Sequence, residues 1–299
     1  MTAEHSLPAG VPAAPTGVSA PPLRIRRRPL ERVRPGPAVA ALVLLLIVLA
    51  AAHPALFAGG SPADTDPLRT LQPPSGRHWF GTDQLGRDVF TRAVYGTRYS
   101  LAIGAVSTGA GVALAVLWGL AAALSGRFGD ALLMRAAEVL LALPGLLLAL
   151  MVLLITGKGV AGATIAVAVG TAPGFARVVR GQALVVRRSG YVEGAVGLGV
   201  RRPLIVLRHV LPNTLGPLLV LATVTLGASI SAGAALSYLG LGAQPPTPEW
   251  GAMLTDGQDY LQQAWWIALF PGLLLVCTVL AVTVLGRYAQ ARYEGRAAS

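Results

Sequence analysis

Between Arg34 and Asp64 the chain carries no Asp, Glu, Lys or Arg, and inside that interval residues 37–58 read PAVAALVLLLIVLAAAHPALFA. A helix needs about 20 apolar residues to cross a hydrocarbon core about 30 Å thick, and this stretch meets that length. Five more of similar character follow, at 99–125, 131–156, 159–179, 214–241 and 264–286. The fold is therefore read with lipid as solvent, where backbone polar groups must be satisfied inside each segment and helices are the natural solution. Composition agrees, since 54% of the 299 residues are hydrophobic and only 12% charged, outside the range of soluble domains. The expectation is an all-α membrane protein of about six transmembrane helices.

A net charge of +11 raises nucleic acid as a partner, but the arginines flank the apolar stretches as the positive-inside rule describes. With a cytoplasmic N-terminus, 18 of the 24 basic residues fall inside: Arg24, Arg26, Arg27, Arg28, Arg32, Arg34, Arg127, Arg135, Arg177, Arg180, Arg187, Arg188, Arg201, Arg202, Arg208, Arg287, Arg292 and Arg296. Arg69, Arg77, Arg87, Arg92, Arg98 and Lys158 remain outside, most of them in one loop balanced by Asp64, Asp66, Asp83 and Asp88. This predicts a multi-pass protein of the plasma or inner membrane, with lipid rather than nucleic acid around it and both termini cytoplasmic. The expected order is a disordered tail over 1–22, a basic flank and first helix over 23–58, an extracytoplasmic loop over 59–98, a five-helix core over 99–287 and a tail over 288–299. The apolar run after the basic flank is longer than the roughly 7–15 residues of a signal peptide, so an uncleaved helix is expected.

Local patterns add detail. In FGTDQLGRDVFTRAVYGTRYSL, residues 80–101, the pairs Asp83/Arg87 and Asp88/Arg92 have i,i+4 spacing and Thr82 or Asp83 suits a helix cap, predicting a solvated, ion-paired helix. Gly104, Ser107, Gly109, Gly111 and Gly119 predict close helix packing in the second span. Pro144 and Gly145 permit a bend in the third, where Arg135 and Glu138 pair near the boundary, and Pro173-Gly174 predicts an end or kink in the fourth. Arg177, Arg180, Arg187 and Arg188 fall within about a third of a helix circumference and predict a basic stripe facing headgroups. Glu249, Asp256 and Asp259 stand in a segment without Lys or Arg that ends at Trp265 and Trp266, which suit an outer aromatic belt.

Several chemistries are absent. The single lysine, Lys158, has no G-x4-G-K-[ST] context, so this chain is not expected to bind ATP itself. His5, His53, His78 and His209 are scattered, with no H-E-x-x-H and no metal site indicated. No histidine follows Ser229 to activate it, and the single Cys277 allows no disulfide and is expected as a buried structural residue. No catalytic residues and no enzyme are expected.

The remaining signal is YVEGAVGLGVRRPLIVLRHVLPN, residues 191–213. Glu193, Ala195, Gly199, Ile205 and Leu211-Pro212 fall at the offsets of the E-A-A-x3-G loop in permeases of ATP-binding-cassette importers. Together with GTDQLGRD, RHVLPNTLGP and SYLGLGAQPPTPEWG, all in order between residues 78 and 285, they resemble the second permease of the dipeptide/oligopeptide/nickel importers. The resemblance implies a type I importer permease fold in which the loop over 189–212 forms a cytoplasmic coupling helix docked on a separate ATPase. Glu193, Gly194, Ala195, Gly199, Ile205, Leu211 and Pro212 would serve that contact. A carboxylate in the first turn suits the helix N-terminus and Gly199 suits the turn that follows, while Val192, Ala195, Val196 and Gly199 are expected as the stripe that enters the partner's groove. Gly194 replaces the family's usual Ala and lowers helix propensity by about 1 kcal/mol.

The implied partners are a second homologous permease, two ATPase subunits that bind the ATP, and an extracytoplasmic substrate-binding protein; no cofactor is implied in this chain. Thr223, Thr225, Ser229 and Ser231 of the fifth span are expected to contribute to the translocation pathway, because polar groups in lipid face the bundle interior. Peptide is the first substrate expectation, with nickel or a glutathione-like molecule as the alternative. An ATP-independent secondary transporter is the competing class; deep ionisable residues or paired broken helices would mark it.

Overall fold

The computed structural model describes residues 35–297. The expected tail 1–22 and basic flank up to Arg34 lie outside the described residues. Residues 35–297 are helical apart from loops and one isolated bridge between Thr82 and Asp88. In order they form α1 (Pro35–Ala52), α2 (Val89–Leu124), α3 (Arg127–Ala142), α4 (Gly145–Thr156), α5 (Val160–Arg187), α6 (Gly190–Gly197), α7 (Arg202–Ile205), a π-helical turn (Val206–Val210), α8 (Leu211–Tyr238), α9 (Trp250–Gln258) and α10 (Trp266–Ala297). Five segments are long and apolar enough to cross a membrane, or six when α3 and α4 count as one.

The second helix starts ten residues before the expected 99. Asp88, rather than Thr82 or Asp83, is its N-cap, accepting from the Thr91 amide at 2.7 Å. The 36 residues of α2 span about 54 Å at 1.5 Å per residue, so it outruns a hydrocarbon core. Its first turns contribute Val89 and Ala93 to a buried cluster with Ile47 of α1, Trp250 and Met253 of α9, Ala264 just before α10, and Trp266 and Ile267 at its start.

The third span is broken: α3 and α4 meet at 104° across Leu143 and Pro144. Proline disfavours helical geometry in the residue before it, and Leu143 sits at φ −77°, ψ 137°. Pro173 does not end its helix. It is buried inside α5, which runs on to Arg187; neighbouring helices sustain a proline inside a lipid-embedded bundle.

Glycine sets the closeness of the core. A side chain at Gly104 would strike Ile230 of α8, one at Gly111 would strike Thr171 of α5, and one at Gly119 would lie 2.6 Å from the Ala176 carbonyl and 2.7 Å from Val179 Cβ. α2 therefore packs backbone-close against both α5 and α8. Gly109 faces open space instead, with nothing within 4 Å of a built Cβ.

Two smaller expectations change. Cys277 is exposed on α10, since an apolar solvent leaves a thiol no need of protein cover. Trp265 remains 47% exposed, as a belt residue would be, but Trp266 is buried and donates from Nε1 to the Thr82 carbonyl at 3.0 Å.

Candidate functional site

The 191–213 stretch forms α6, α7, the π-turn and the start of α8 at the end of the bundle opposite the 53–88 loop. Ser189 is the N-cap of α6, and its carbonyl accepts from the amides of Val192 and Glu193 at 3.0 and 3.1 Å. Glu193 stands in the first turn, where a negative charge meets the unpaired amides. The helix ends in a Schellman arrangement: the Gly199 amide donates to Val196 and the Val200 amide to Ala195, at 3.0 and 3.1 Å. That ending needs a left-handed residue, and Gly199 supplies it at φ 75°. The expected turn after two helical turns is in place.

The outward face differs from the expected one. Val192 is buried and Ala195 half-buried against Ala123, Ala183, Val186, Ile205 and Val210 of the chain itself. An eight-residue helix lacks the length to hold itself in place, and this apolar side is what fixes it to the bundle. The side left free carries Gly190, Glu193, Gly194 and Gly197, and a Cβ at any of the three glycines would meet nothing within 4 Å. Tyr191 at 51%, Val196 at 60% and Leu198 at 85% exposure flank it. The surface on offer is thus a smooth backbone strip between apolar side chains, bearing one carboxylate. Gly194, which weakens the helix, sits in the middle of that strip.

Ile205 is buried behind α6, while Leu211 is half-buried and Pro212 exposed where the π-turn passes into α8. The Tyr191 and His209 rings lie 5.9 Å apart and join α6 to the π-turn. Asn213 donates to the His209 carbonyl at 2.6 Å, so a side chain supports the irregular turn. Arginines brace the same end. Arg180 makes a two-point ion pair with Asp130 of α3, and Arg187 donates to the Ala123 carbonyl in the last turn of α2. Of the expected headgroup stripe, these two are committed to protein partners. Arg135 and Glu138 pair at 3.0 Å on the surface as anticipated.

The four α8 hydroxyls expected in the pathway divide. Thr223, Thr225 and Ser231 donate back to the carbonyls of Val220, Leu221 and Gly227. Ser229 is buried and accepts from Thr108 of α2 at 3.0 Å, a helix-to-helix bond. Thr223 and Ser231 keep exposed surfaces. Among the described residues no group of three or more His, Cys, Asp or Glu side chains could hold a metal.

Sequence reasoning missed a buried charge cluster at the other end. Asp83 is 2% exposed, accepts from the amides of Leu85 and Arg87 at 2.9 Å, and takes the Arg87 guanidinium at 2.6 Å. Arg92 lies 3.6 Å from Asp83, and both arginines reach Asp256 of α9 at 3.5 Å. Burial holds the Asp256 carboxyl above its ordinary value, with Arg92 and Arg87 pulling the other way. At the N-terminus of the same helix Glu249 is fully buried, caps α9 through the Ala252 amide at 3.0 Å and accepts from Ser100 at 2.8 Å. The i,i+4 spacing of the arginines and aspartates was the visible signal, but it marks a clasp between the start of α2 and α9 rather than a solvated helix.

Comparison with known proteins matches the helical arrangement. The inward-facing MetNI methionine ABC transporter has a chain with a TM-score of 0.55 at 22% identity, covering 67% of this chain and 95% of that one. A crystal structure of an amino acid ABC transporter with histidines gives 0.52 at 14% identity. These likenesses establish a type I importer permease fold. The dipeptide transport system permease protein DppC of Alkalihalophilus pseudofirmus is 40% identical over 83% of this chain and 82% of its own. The glutathione transport system permease protein GsiD of Pectobacterium atrosepticum is 42% identical over 83% of each chain. The family model described as binding-protein-dependent transport system inner membrane component matches residues 111–297. With its apolar helices, its backbone-close core and these relatives, the chain belongs to the binding-protein-dependent transport system inner membrane components, the multi-pass, non-enzymatic permeases of ATP-binding-cassette importers.

Proposed function

We propose that this chain is one of two different permeases in an importer of short peptides, and that α6 is its coupling helix to an ATPase subunit. The exposed glycine strip of α6 carries the coupling reading, because it lets a partner's surface approach the backbone while Val192, Ala195 and Ile205 anchor the helix behind it. A force applied to α6 then passes through the Tyr191 and His209 contact and the π-turn into α8. Glu193 and Gly194 meet the partner; Gly199 sets the turn; Leu211 and Pro212 lie where the motion enters the membrane helix.

In this reading α6 and both termini are cytoplasmic and the 53–88 loop is extracytoplasmic, supported by the distribution of arginines at the α6 end. ATP is bound and hydrolysed on two partner subunits, and a substrate-binding protein delivers cargo from outside. The substrate class rests on relatives of nearly equal similarity that carry dipeptide and glutathione names, which share a short peptide backbone. Thr223 and Ser231 are the pathway hydroxyls of this proposal, since they stay exposed on α8. Reconstitution of the assembled importer in proteoliposomes tests it, with labelled dipeptide, glutathione and nickel ion as cargo. ATP-dependent accumulation of a peptide supports the reading; accumulation of nickel alone, or uptake that needs an ion gradient and no ATP, contradicts it.

A further inference from the structure

A cavity of about 390 Å³ opens at the 53–88 end, lined by Phe57, Trp79 and Phe90 together with Arg69, Arg77 and His78. It is continuous, through Arg69, His78 and Asp88, with a recess of about 180 Å³. Its walls are built. Asp88 caps α2 and also takes the His78 ring nitrogen Nδ1 at 2.7 Å, and the Trp79 and Phe90 rings meet at 5.0 Å. Arg69 is tied to Asp66 at 3.1 Å but keeps a third of its side chain exposed, and Arg77 is exposed and makes no ion pair among the described residues. His78 Nε2 is buried with no hydrogen-bond partner among the described residues, which leaves this corner short of one polar group.

The height of the cavity identifies what can enter it. Ile47 of α1 packs in the same cluster as Val89 and Ala93, and α1 continues only to Ala52, about 7.5 Å higher at 1.5 Å per residue. The cavity, built from residues that follow α1 and residues at the start of α2, thus sits level with the end of an apolar span. With α1 as a membrane span, that level is where the headgroup layer would lie. Aromatic contacts run through the same layer from Trp79 and Phe90 to Phe80, Phe270 and Trp265, the arrangement of an interfacial belt. Trp79 in the wall is 63% exposed, and Leu56 at 79% and Leu68 at 92% exposure are the chain neighbours of the lining residues Phe57 and Arg69. Three large apolar side chains this exposed suit contact with lipid better than contact with water.

We propose that this cavity is a phospholipid site, in which the phosphodiester is held by Arg77 and Arg69, the glycerol region lies against Phe57, Trp79 and Phe90, and the acyl chains run down the exposed face of α1. Arginine suits phosphate through paired N–H donors, and Val39, Leu42, Leu45, Leu46 and Leu49 give α1 a continuous apolar surface below the cavity. The bound lipid ties the 53–88 loop to the bilayer beside the clasp of Asp83, Arg87 and Arg92.

Native mass spectrometry of the assembled importer, titrated with phosphatidylethanolamine or phosphatidylglycerol, tests the site. The wild type is expected to retain a tightly held phospholipid of either headgroup. Arg77→Glu is expected to weaken that binding about fivefold or more, as the removal and reversal of one surface cation implies, while Lys158→Ala at another loop leaves it unchanged. Arg77 and Lys158 are not in the core, so both variants fold, and Trp79→Ala gives a second reading through the apolar wall. Equal lipid retention in wild type and Arg77→Glu overturns the proposal. So does saturation of the site by soluble glycerol 3-phosphate at the same concentrations, which would make it a site for a free anion. Loss of stimulation by the binding protein in Arg77→Glu, with lipid retention unaltered, would make the face a protein interface and equally overturn it.

Discussion

Replacing Asp83 with alanine should be among the most damaging changes at the 53–88 end. The side chain is 2% exposed and holds two backbone amides as well as the Arg87 guanidinium, with Arg92 close by. Without it two buried arginines share one carboxylate, Asp256, at 3.5 Å. Removing one partner of a buried ion pair costs about 3–5 kcal/mol, because the other charge stays buried without compensation. At about 2–4 °C per kcal/mol for a chain of comparable size, the midpoint of unfolding should fall by about 10 °C. Asp256→Ala should cost only about 1 kcal/mol, since that side chain is 28% exposed and its contacts are long. The compensated variant Asp83→Leu with Arg87→Met should recover at least half of the loss, as an apolar replacement of both partners often does. Tryptophan fluorescence on heating the purified importer reads all three, with Trp250 and Trp266 packed beside the cluster. An unfolding midpoint within about 1 °C of wild type for Asp83→Ala would refute the argument, as would a double variant no more stable than Asp83→Ala.

Other expectations follow from the same packing. Gly119→Leu should lower stability by about 1–3 kcal/mol, because its side chain would drive into the Ala176 carbonyl and Val179, whereas Gly109→Leu faces open space and should be neutral; thermal unfolding of both variants in detergent separates the two. Thr108→Val should cost about 0.6 kcal/mol, the usual worth of a bond between membrane helices, and leave substrate preference unchanged in competition uptake; altered preference would move Ser229 from helix contact to pathway. Burial raises the Asp256 carboxyl above its reference value of 3.8, so the folded state binds that proton more tightly than the unfolded one. Its contribution to stability is then fully present below the unfolded value, declines as pH rises through the folded value and is flat above it. Unfolding midpoints of wild type and Asp256→Asn between about pH 4 and 7 should differ by a slope of that sign, which Asn abolishes.

What could be read from the chain alone was whatever lipid or backbone geometry dictates locally. The apolar runs announced the membrane helices because charge is costly in hydrocarbon, and Gly199 announced its turn because the ending of α6 needs a positive φ. Pro144 announced a bend but not its angle of 104°, which depends on where Asp130 meets Arg180 and where Trp118 donates to the Leu133 carbonyl. The cap of α2 was misplaced because Thr82, Asp83 and Asp88 all suit a cap; Arg87, Arg92 and the distant Asp256 draw Asp83 into the cluster and leave the cap to Asp88. The free face of α6 was misjudged for a similar reason. Val192 looks like a docking residue until Ala123, Ile205 and Val210, from other parts of the chain, are packed against it.

The central claim is that α6 transmits between this permease and an ATPase subunit, and Glu193→Lys tests it most directly. Glu193 is exposed and in the first turn of the helix, so the variant should insert and fold. Affinity purification from membranes through a tag on this chain, followed by substrate-stimulated ATP hydrolysis, gives the readout. The account predicts that wild type brings down ATPase subunits with stimulated hydrolysis, and that Glu193→Lys is present in the membrane at the same level but loses their binding or the stimulation. Full association and full stimulation in Glu193→Lys would contradict it.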